Sequence, residues 1–266
     1  GFGELLKMKI IDVSKPEIKI MLDKAIEYLD REIEDDYLKL IENKSDLANN
    51  NLGSSQIQYL YLKSLFNDYQ ETKKSKAFSY YLKQAEFYWQ DRPLMLQAMQ
   101  AMALNKLSQT SSTANLIISS IKEHAIIEEK KGMYWKANSG GYRWNESAIE
   151  TQALLIDAFA EVGENKELIE EMKLWLLHQK RIQHWGTNKS TAKACYALLL
   201  QGNNVIDEQE SALIKVGSEK LNTTDGLAAL GYVKKSWESS QVKDQLMNVE
   251  IQKSTNKLYA IPLMTS

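Results

Sequence analysis

The 266-residue chain has one cysteine and three prolines, and it lacks any long apolar run. With Cys195 alone, an intrachain disulfide is excluded, and its apolar sequence neighbours predict a buried, inert thiol. Few prolines and only 12 glycines leave little linker and favour helix. Because no apolar run approaches the roughly 20 residues that cross a bilayer, no direct membrane span is predicted.

An excess of charge of one sign is also absent. The 33 Lys and Arg residues and the 35 Asp and Glu residues are interspersed and give a formal net charge of -2. A nucleic-acid partner is therefore not indicated. The balance of 44% hydrophobic and 26% charged residues is typical of a globular protein with a real core. Since the chain begins Gly1-Phe2-Gly3 rather than with Met, we expect it to be a piece of a longer protein.

Two kinds of helical segment alternate along the chain. Segments that are apolar around most of the circumference lie near 57–66, 94–104, 148–160 and 191–200. Segments with one polar face lie near 73–89, 113–129 and 165–179. A helix that is apolar all round must be surrounded by protein, whereas a two-faced helix lies at the surface. The alternation therefore predicts helical hairpins that each contribute one inner and one outer helix.

Stacked hairpins of this kind form either an open solenoid or a closed α/α toroid. Solenoid repeats keep a nearly fixed period, whereas the inner segments here are unevenly spaced. We therefore predict a mainly α fold, an α/α toroid of alternating inner and outer helices, over residues 1–208. Residues 209–266 are predicted to form a small antiparallel β excursion and the chain end, both belonging to the same domain.

The ends of the chain carry more local signals. Ser14-Lys15-Pro16 predicts a helix start, and the acidic run 32–36 is expected to end or interrupt that helix. Near the C-terminal end, 212–221 reads as strand, Gly-Ser turn and strand. Third and fourth strands are predicted over 231–237 and 248–253.

Five segments in the second half stand in a fixed order. They are Gly132-Met133-Tyr134-Trp135, 149–155, 175–181, 185–187 and 190–198. This set resembles the thioester-type domain of the α2-macroglobulin family, and its first segment resembles the Gly-x-Tyr-Trp of bacterial members. Gly231-Tyr232-Val233 and the residues up to Trp237 resemble the strand that follows. The resemblance implies an α/α toroid inside a large multidomain protein that traps proteases.

Further expectations follow from this resemblance. The partners would be proteases and the other domains of the same protein, and the location would be periplasmic, cell-surface or secreted. The family's reactive motif is Cys-x-Glu-Gln, but Cys195 is followed by Tyr196-Ala197-Leu198. The thioester therefore cannot form within this chain. The resemblance then implies a domain that is not an enzyme, needs no cofactor or metal, and contributes to trapping by conformational change.

An enzyme is the alternative, either a carbohydrate-active or a terpenoid α/α toroid with its substrate in the central cavity. The acidic run 32–36 could protonate a substrate only if an apolar cavity kept it protonated. Four acids flanked by Arg31 and Lys39 are instead typical of a solvated helix end. The polar groups that the inner helices offer are Glu150, Asp157, Tyr59 and Tyr61. A third alternative is a scaffold module that only packs on its neighbours.

A zinc site would need several ligands that converge. The residues of the right type are His124, His178, His184 and Cys195. No pair of them has ligand spacing on one helix, so a metal centre is not predicted.

Aromatic residues in the predicted turns are the candidates for contact with a partner or a neighbouring domain. The turns of a toroid gather at one end of the ring, and aromatic residues on loops over a rigid scaffold often bind a sugar, a peptide or a domain. The alternative is that they pack at the mouth of the ring and on the β excursion. The candidates are Tyr134, Trp135, Tyr142, Trp144 and Trp185.

Overall fold

The computed structural model describes residues 2–7, 10–67, 74–108, 112–138, 147–163, 165–182, 185–200, 213–222, 235–241, 246 and 248–252. This described part is mainly helical with a few short antiparallel strands, as predicted. The chain divides into two compact units, Gly1–Ala197 and Leu198–Ser266.

The helices of the described residues fall mostly in the first unit. They are α1 (Phe2–Lys7), α2 (Pro16–Glu42), α3 (Ser54–Phe66), α4 (Lys76–Phe87), α5 (Leu94–Leu107), α6 (Ser112–Glu123), α7 (Ala148–Ala158), α8 (Lys166–Ile182) and α9 (Asn188–Leu200). The strands are β1 (Ile126–Glu128), β2 (Gly132–Tyr134), β3 (Leu213–Val216), β4 (Glu219–Asn222) and β5 (Val249–Gln252). A π-helical turn (Phe159–Gly163) continues α7, and a 3-10 turn (Ser239–Gln241) lies in the second unit.

Helix α2 runs unbroken through the acidic run 32–36, so the predicted interruption is wrong. The buried residues Leu22, Ile26 and Ile33 keep one helical stripe in register across that run. None of the acidic side chains of the run is buried, so they do not compete with this packing, and tertiary burial decides the helix length. Asp36 accepts a hydrogen bond from Gln56 Nε2 of α3 at 2.8 Å, which fastens the two helices together.

The helices that are apolar all round lie inside the first unit. Every residue of α7 from Ile149 to Ala158 is buried, and α5 packs between α3 and α7. The two-faced α6 buries only one stripe, which consists of Ala114, Ile117, Ile118 and Ile121. The sequence pattern predicted this difference, in which α7 is buried on all sides and α6 is buried on one stripe.

The helix predicted over 113–129 is too long, because α6 ends at Glu123. The residues that follow form an antiparallel hairpin in which Ile127 of β1 lies opposite Met133 of β2. Tyr134 therefore lies in a strand and not in a turn. Ile fits a helical stripe and a strand equally well, so the apolar period alone could not separate the two. The hairpin packs on α8.

Cys195 is exposed, so the predicted burial of its thiol is wrong. Its neighbours Ala194, Tyr196 and Ala197 are buried. Successive residues of a helix point about 100° apart, so a residue beside buried neighbours can still face outward. An apolar sequence neighbourhood was therefore a poor guide to this side chain.

The second unit contains a three-stranded antiparallel sheet in the order β4-β3-β5. Strands β3 and β4 form the predicted hairpin around Gly217-Ser218, with Val216 opposite Glu219. The predicted fourth strand is confirmed as β5, which pairs with β3. Residues 235–237 of the predicted third strand are not extended into a sheet, and 231–234 lie outside the described residues.

The hairpin β1-β2 needs glycine at position 132. Gly132 has φ +79°, and a Cβ there would overlap the carbonyl oxygen of Glu171 and come within 2.9 Å of the backbone nitrogen of Trp175. We expect Gly132→Ala to lower the free energy of unfolding by about 3 kcal/mol or more, since backbone strain and steric overlap add. Urea denaturation followed by circular dichroism measures this.

Gly186 is the matched control. It has φ +80°, but a Cβ there would meet no atom within 4 Å. Gly186→Ala should therefore cost only the backbone strain, about 1 kcal/mol. Equal losses in the two variants would contradict the close approach of the hairpin to α8.

Candidate functional site

A buried glutamine joins two of the segments that stand in fixed order to helix α8. Gln152 is fully buried on α7, and its Nε2 donates to Met133 O of β2 at 2.9 Å and to Met172 O of α8 at 3.2 Å. Its Oε1 has no hydrogen-bond partner among the described residues. One side-chain amide thus ties strand β2 and helices α7 and α8 together. We call this place the aromatic junction, because aromatic residues surround it.

Tyr134 belongs to this junction through two contacts. Its ring stacks on Trp175 of α8, with centroids 6.4 Å apart and planes 20° apart. Its hydroxyl donates to Glu128 across the hairpin, and Lys131 Nζ lies 2.7 Å from the same carboxylate. Lys131 and then Tyr134 hold the pKa of Glu128 below its usual value, and the bond to Glu128 raises the pKa of Tyr134. The hairpin is therefore fixed to α8 by its aromatic end.

Trp135 and Trp185 are buried, with exposed fractions of 2% and 8%. The indole nitrogen of Trp135 donates to Ile121 O at 2.7 Å, and that of Trp185 donates to Leu176 O at 3.0 Å. Lys180 Nζ lies 5.1 Å from the ring centre of Trp185. Each indole thus donates a hydrogen bond to a main-chain carbonyl of a helix, α6 for Trp135 and α8 for Trp185. Contact with a neighbouring domain stays a prediction for these residues, and Tyr142 and Trp144 lie outside the described residues.

The start of α9 is fastened to the first turn of α7. Thr187 Oγ1 accepts from the backbone nitrogen of Ser190 at 3.1 Å, which caps α9. Ser190 Oγ donates to Glu150 Oε1 at 3.2 Å, and Lys189 Nζ lies 2.6 Å from Glu150 Oε2. Glu150 is thus used in structural contacts, and it also suits the positive end of the α7 dipole.

A second group of polar residues is coupled electrostatically within the first unit. It consists of Tyr61 on α3, Asp157 on α7, Glu161 in the π-helical turn and Tyr196 on α9, and we call it the polar hub. Burial, and then the negative charges of Asp157 and Glu161, raise the pKa of both tyrosines above the usual value of 10.0. Both phenols therefore stay neutral donors beside the carboxylates at neutral pH.

Helix α1 is fastened to this region by two ion pairs. Lys7 pairs with Glu161, and Glu4 pairs with Lys193 of α9. Burial lowers the pKa of Lys193. Lys7 of α1 thus compensates part of the cost of burying the Glu161 carboxylate.

Of the four polar groups predicted for the inner helices, the structure brings Asp157 and Tyr61 together. Tyr59 instead donates to Asp30 Oδ1 of α2 at 2.7 Å, beside Lys63. Glu150, in the first turn of α7, instead contacts Ser190 and Lys189 at the start of α9. Sequence reasoning missed Glu161 and Tyr196. The four-residue spacing of Asp157 and Glu161 was the available signal, because such a pair lies on one helix face.

The described ranges contain no group of three His, Cys, Asp or Glu residues that could hold a metal ion. In the same ranges no helix combines the length and apolarity that crossing a membrane requires. Comparison of the chain with protein-family models, with curated proteins and with solved structures gives no match.

The junction predicts a stability effect at Gln152. Gln152→Leu keeps the side-chain size but leaves Met133 O without its side-chain donor. We expect the free energy of unfolding to fall by about 2 kcal/mol. The matched control is Gln58→Leu on α3, an exposed glutamine that bonds only within its own helix, and it should change stability by less than about 0.5 kcal/mol. A Gln152→Leu variant as stable as the control would contradict the bridging role.

The buried tyrosines predict alkaline sensitivity. Burial raises the pKa of Tyr81 to about 12, from a usual value of 10.0. In the unfolded chain this phenol ionises near pH 10, whereas in the folded chain it stays protonated, so its stabilising contribution is complete below pH 10 and is lost as the pH rises to about 12.

We expect the urea midpoint of the wild type to fall between pH 10 and about 12, and the midpoint of Tyr81→Phe to fall less steeply. Tyr28→Phe removes an exposed tyrosine, and its pH profile should follow the wild type. Parallel profiles for all three proteins would contradict the assigned burial effect.

Proposed function

We propose that this chain is the thioester-like α/α-toroid domain of a bacterial α2-macroglobulin homologue, which contributes to protease trapping by conformational change. The observation that carries the proposal is the aromatic junction. Segments that resemble the family in their order along the chain also contact one another through Gln152, Trp175 and Trp185. These contacts support the view that the segments belong to one structural unit, as the resemblance implies.

Helix packing in the first unit supports the toroid. Helix α5 packs between α3 and α7, and α4 and α6 pack against α5, as inner and outer helices of a ring would. The charges of Asp157 and Glu161 act on both Tyr61 of α3 and Tyr196 of α9, which favours the proximity of the first and last helices that the proposal makes inner. Inner helices that meet at a common centre are what a closed ring requires, whereas the ends of an open solenoid lie apart.

The proposed mechanism uses the domain as a rigid body. Chemistry by this chain is not required, since the sequence has no Cys-x-Glu-Gln. Cleavage of a bait segment elsewhere in the intact protein would let its domains rearrange around the protease, and this domain would move as a unit because its helices share buried hydrogen bonds. The proposal implies a periplasmic or cell-surface protein whose partners are proteases and its own neighbouring domains.

The test uses the intact protein that contains this chain, incubated with trypsin at equimolar ratio. We expect faster migration on a native gel after bait cleavage, and hydrolysis of casein should fall while hydrolysis of a small chromogenic peptide continues. A protease that is excluded from large substrates but open to small ones is the signature of a trap. Unchanged mobility together with unchanged casein hydrolysis would overturn the proposal.

Two controls sharpen this experiment. Trypsin with its active-site serine blocked cannot cut the bait, so it should cause no mobility change. Methylamine tests for covalent trapping, because it opens a thioester and frees a thiol. If the remainder of the intact protein has no Cys-x-Glu-Gln, the titratable thiol count should be the same before and after methylamine.

The polar hub favours an enzyme as a second candidate function. Two carboxylates act there on two neutral phenols, and carboxylates and tyrosines are among the residue types that enzymes use as acids and bases. The two candidates differ in their response to Tyr61→Phe and Tyr196→Phe. A trap should keep its protection of casein hydrolysis in both variants, whereas an enzyme that uses the hub would lose its turnover.

A further inference from the structure

Helix α2 carries large apolar side chains on its exposed side. Five of the twelve exposed large hydrophobic residues in the described part of the chain lie on this one helix, with exposed fractions between 43% and 54%. They are Ile20, Met21, Tyr28, Leu38 and Ile41. Single exposed apolar residues are ordinary on a protein surface, whereas their concentration on one helix is typical of a surface that contacts another protein.

The exposed side of α2 has the spacing of a coiled-coil seam. Residues that follow one another at alternating steps of three and four lie along one side of a helix and can pack against a second helix. On α2 these are Met21, Lys24, Tyr28, Arg31, Asp35 and Leu38, and all six are exposed. The buried residues Leu22, Ile26 and Ile33 lie on the opposite side of the helix. We call the six exposed residues the α2 seam.

The apolar residues at the two ends of the α2 seam match each other in an antiparallel pair. In a pair of identical helices related by a two-fold axis, the start of one seam meets the end of the other. Met21 then lies opposite the partner's Leu38, and Ile20 beside the seam lies near the partner's Ile41. Symmetry repeats these contacts, so an apolar cluster forms at each end of the pair.

The charged residues of the α2 seam match in the same antiparallel register. Lys24 lies opposite the partner's Asp35, and neither side chain has an ion-pair partner within the residues that the structure describes. A parallel pair would instead place Lys24 against the partner's Lys24 and Asp35 against the partner's Asp35. Like charges across a helix pair are unfavourable, so the charge pattern selects the antiparallel orientation.

The middle of the α2 seam adds an aromatic contact. Tyr28 lies opposite the partner's Arg31 in the antiparallel register. Within one chain the Arg31 guanidinium already lies 5.5 Å from the centre of the Tyr28 ring, which is the distance of a cation–π contact. In the pair, two arginines and two tyrosines would alternate at the centre.

The same register also has unfavourable contacts. Glu17 lies opposite the partner's Glu42, and Glu27 lies near the partner's Glu34. These carboxylates lie at the ends and along one edge of the pair, where water and salt screen the repulsion. The expected dimer is therefore weak and is held mainly by its two apolar clusters and its matched central charges.

We propose that the α2 seam is the surface through which two copies of this chain associate, with their α2 helices antiparallel. The occupant is a second copy because the order of apolar, basic and acidic residues along the helix complements itself. This inference rests on α2 alone and does not depend on the function proposed above, so either proposal can fail without the other.

Sedimentation equilibrium of the whole chain, from about 10 µM to about 1 mM, measures the association. The average mass should rise from 30.5 kDa toward twice that value. Lys24→Glu and Asp35→Lys should each weaken the dimer by at least about tenfold, because two symmetric attractions become repulsions. An equimolar mixture of these two variants should associate within about threefold of the wild type, since every pair across the mixed dimer is again of opposite charge.

Two further variants separate the seam from the rest of the surface. Leu38→Gln should weaken the dimer about tenfold, because both apolar clusters lose a side chain. Lys122→Glu changes an exposed charge on α6 and should leave the association unchanged. All substituted residues are exposed, so circular dichroism and the urea midpoint should match the wild type in every variant.

Three results would overturn the proposal. The first is a mass of one chain at every concentration, which would leave the seam to water or to a different partner. The second is a dimer that Lys24→Glu and Asp35→Lys do not weaken, which would assign the association to another face. The third is a mixture of the two charge variants that associates no better than either variant alone, because the antiparallel register requires that rescue.

Discussion

The first unit depends on how one buried amide is satisfied. Gln152 lies on α7, which is buried on every side, and its two N–H donors reach a strand carbonyl and a helix carbonyl. A polar group in such a position is tolerated only because its bonds replace those to water. The same bonds fix the direction of the hairpin relative to both helices. The stacking of Tyr134 on Trp175 and the cover of Trp185 over Leu176 O follow from that arrangement.

Polar residues inside this unit fall into two groups. Both N–H donors of Gln152 and the side chains at the start of α9 are matched within the protein, which is what a structural connection requires. Gln152 Oε1 and Thr151 Oγ1, in contrast, are buried without a hydrogen-bond partner among the described residues. Burial of these two atoms is costly, so the matched contacts of the junction have to offset that cost.

The polar hub lies between these two cases. Its carboxylates raise the pKa of Tyr61 and Tyr196, and α1 supplies Lys7 to Glu161. Such a cluster is costly to bury but specifies one arrangement of the surrounding helices, since each charge needs its own partner. A toroid whose inner helices meet at such a centre would move as one body, which is what the proposed trapping mechanism needs. A solvent-filled hub with the same residues would instead suit an acid–base enzyme.

The sequence by itself determined where most of the helices begin, because apolar period and end signals act locally: the apolar segment near 94–104 lies within α5, which spans Leu94–Leu107. It also determined which helices are buried all round, and the β3-β4 hairpin around Gly217-Ser218. Only the tertiary structure decided the rest. The exposure of Cys195, the conversion of 126–134 into a hairpin, and the meeting of Tyr61 with Tyr196 all depend on contacts between residues distant in sequence. A local sequence pattern does not specify contacts between distant residues, and the burial of a side chain depends on those contacts.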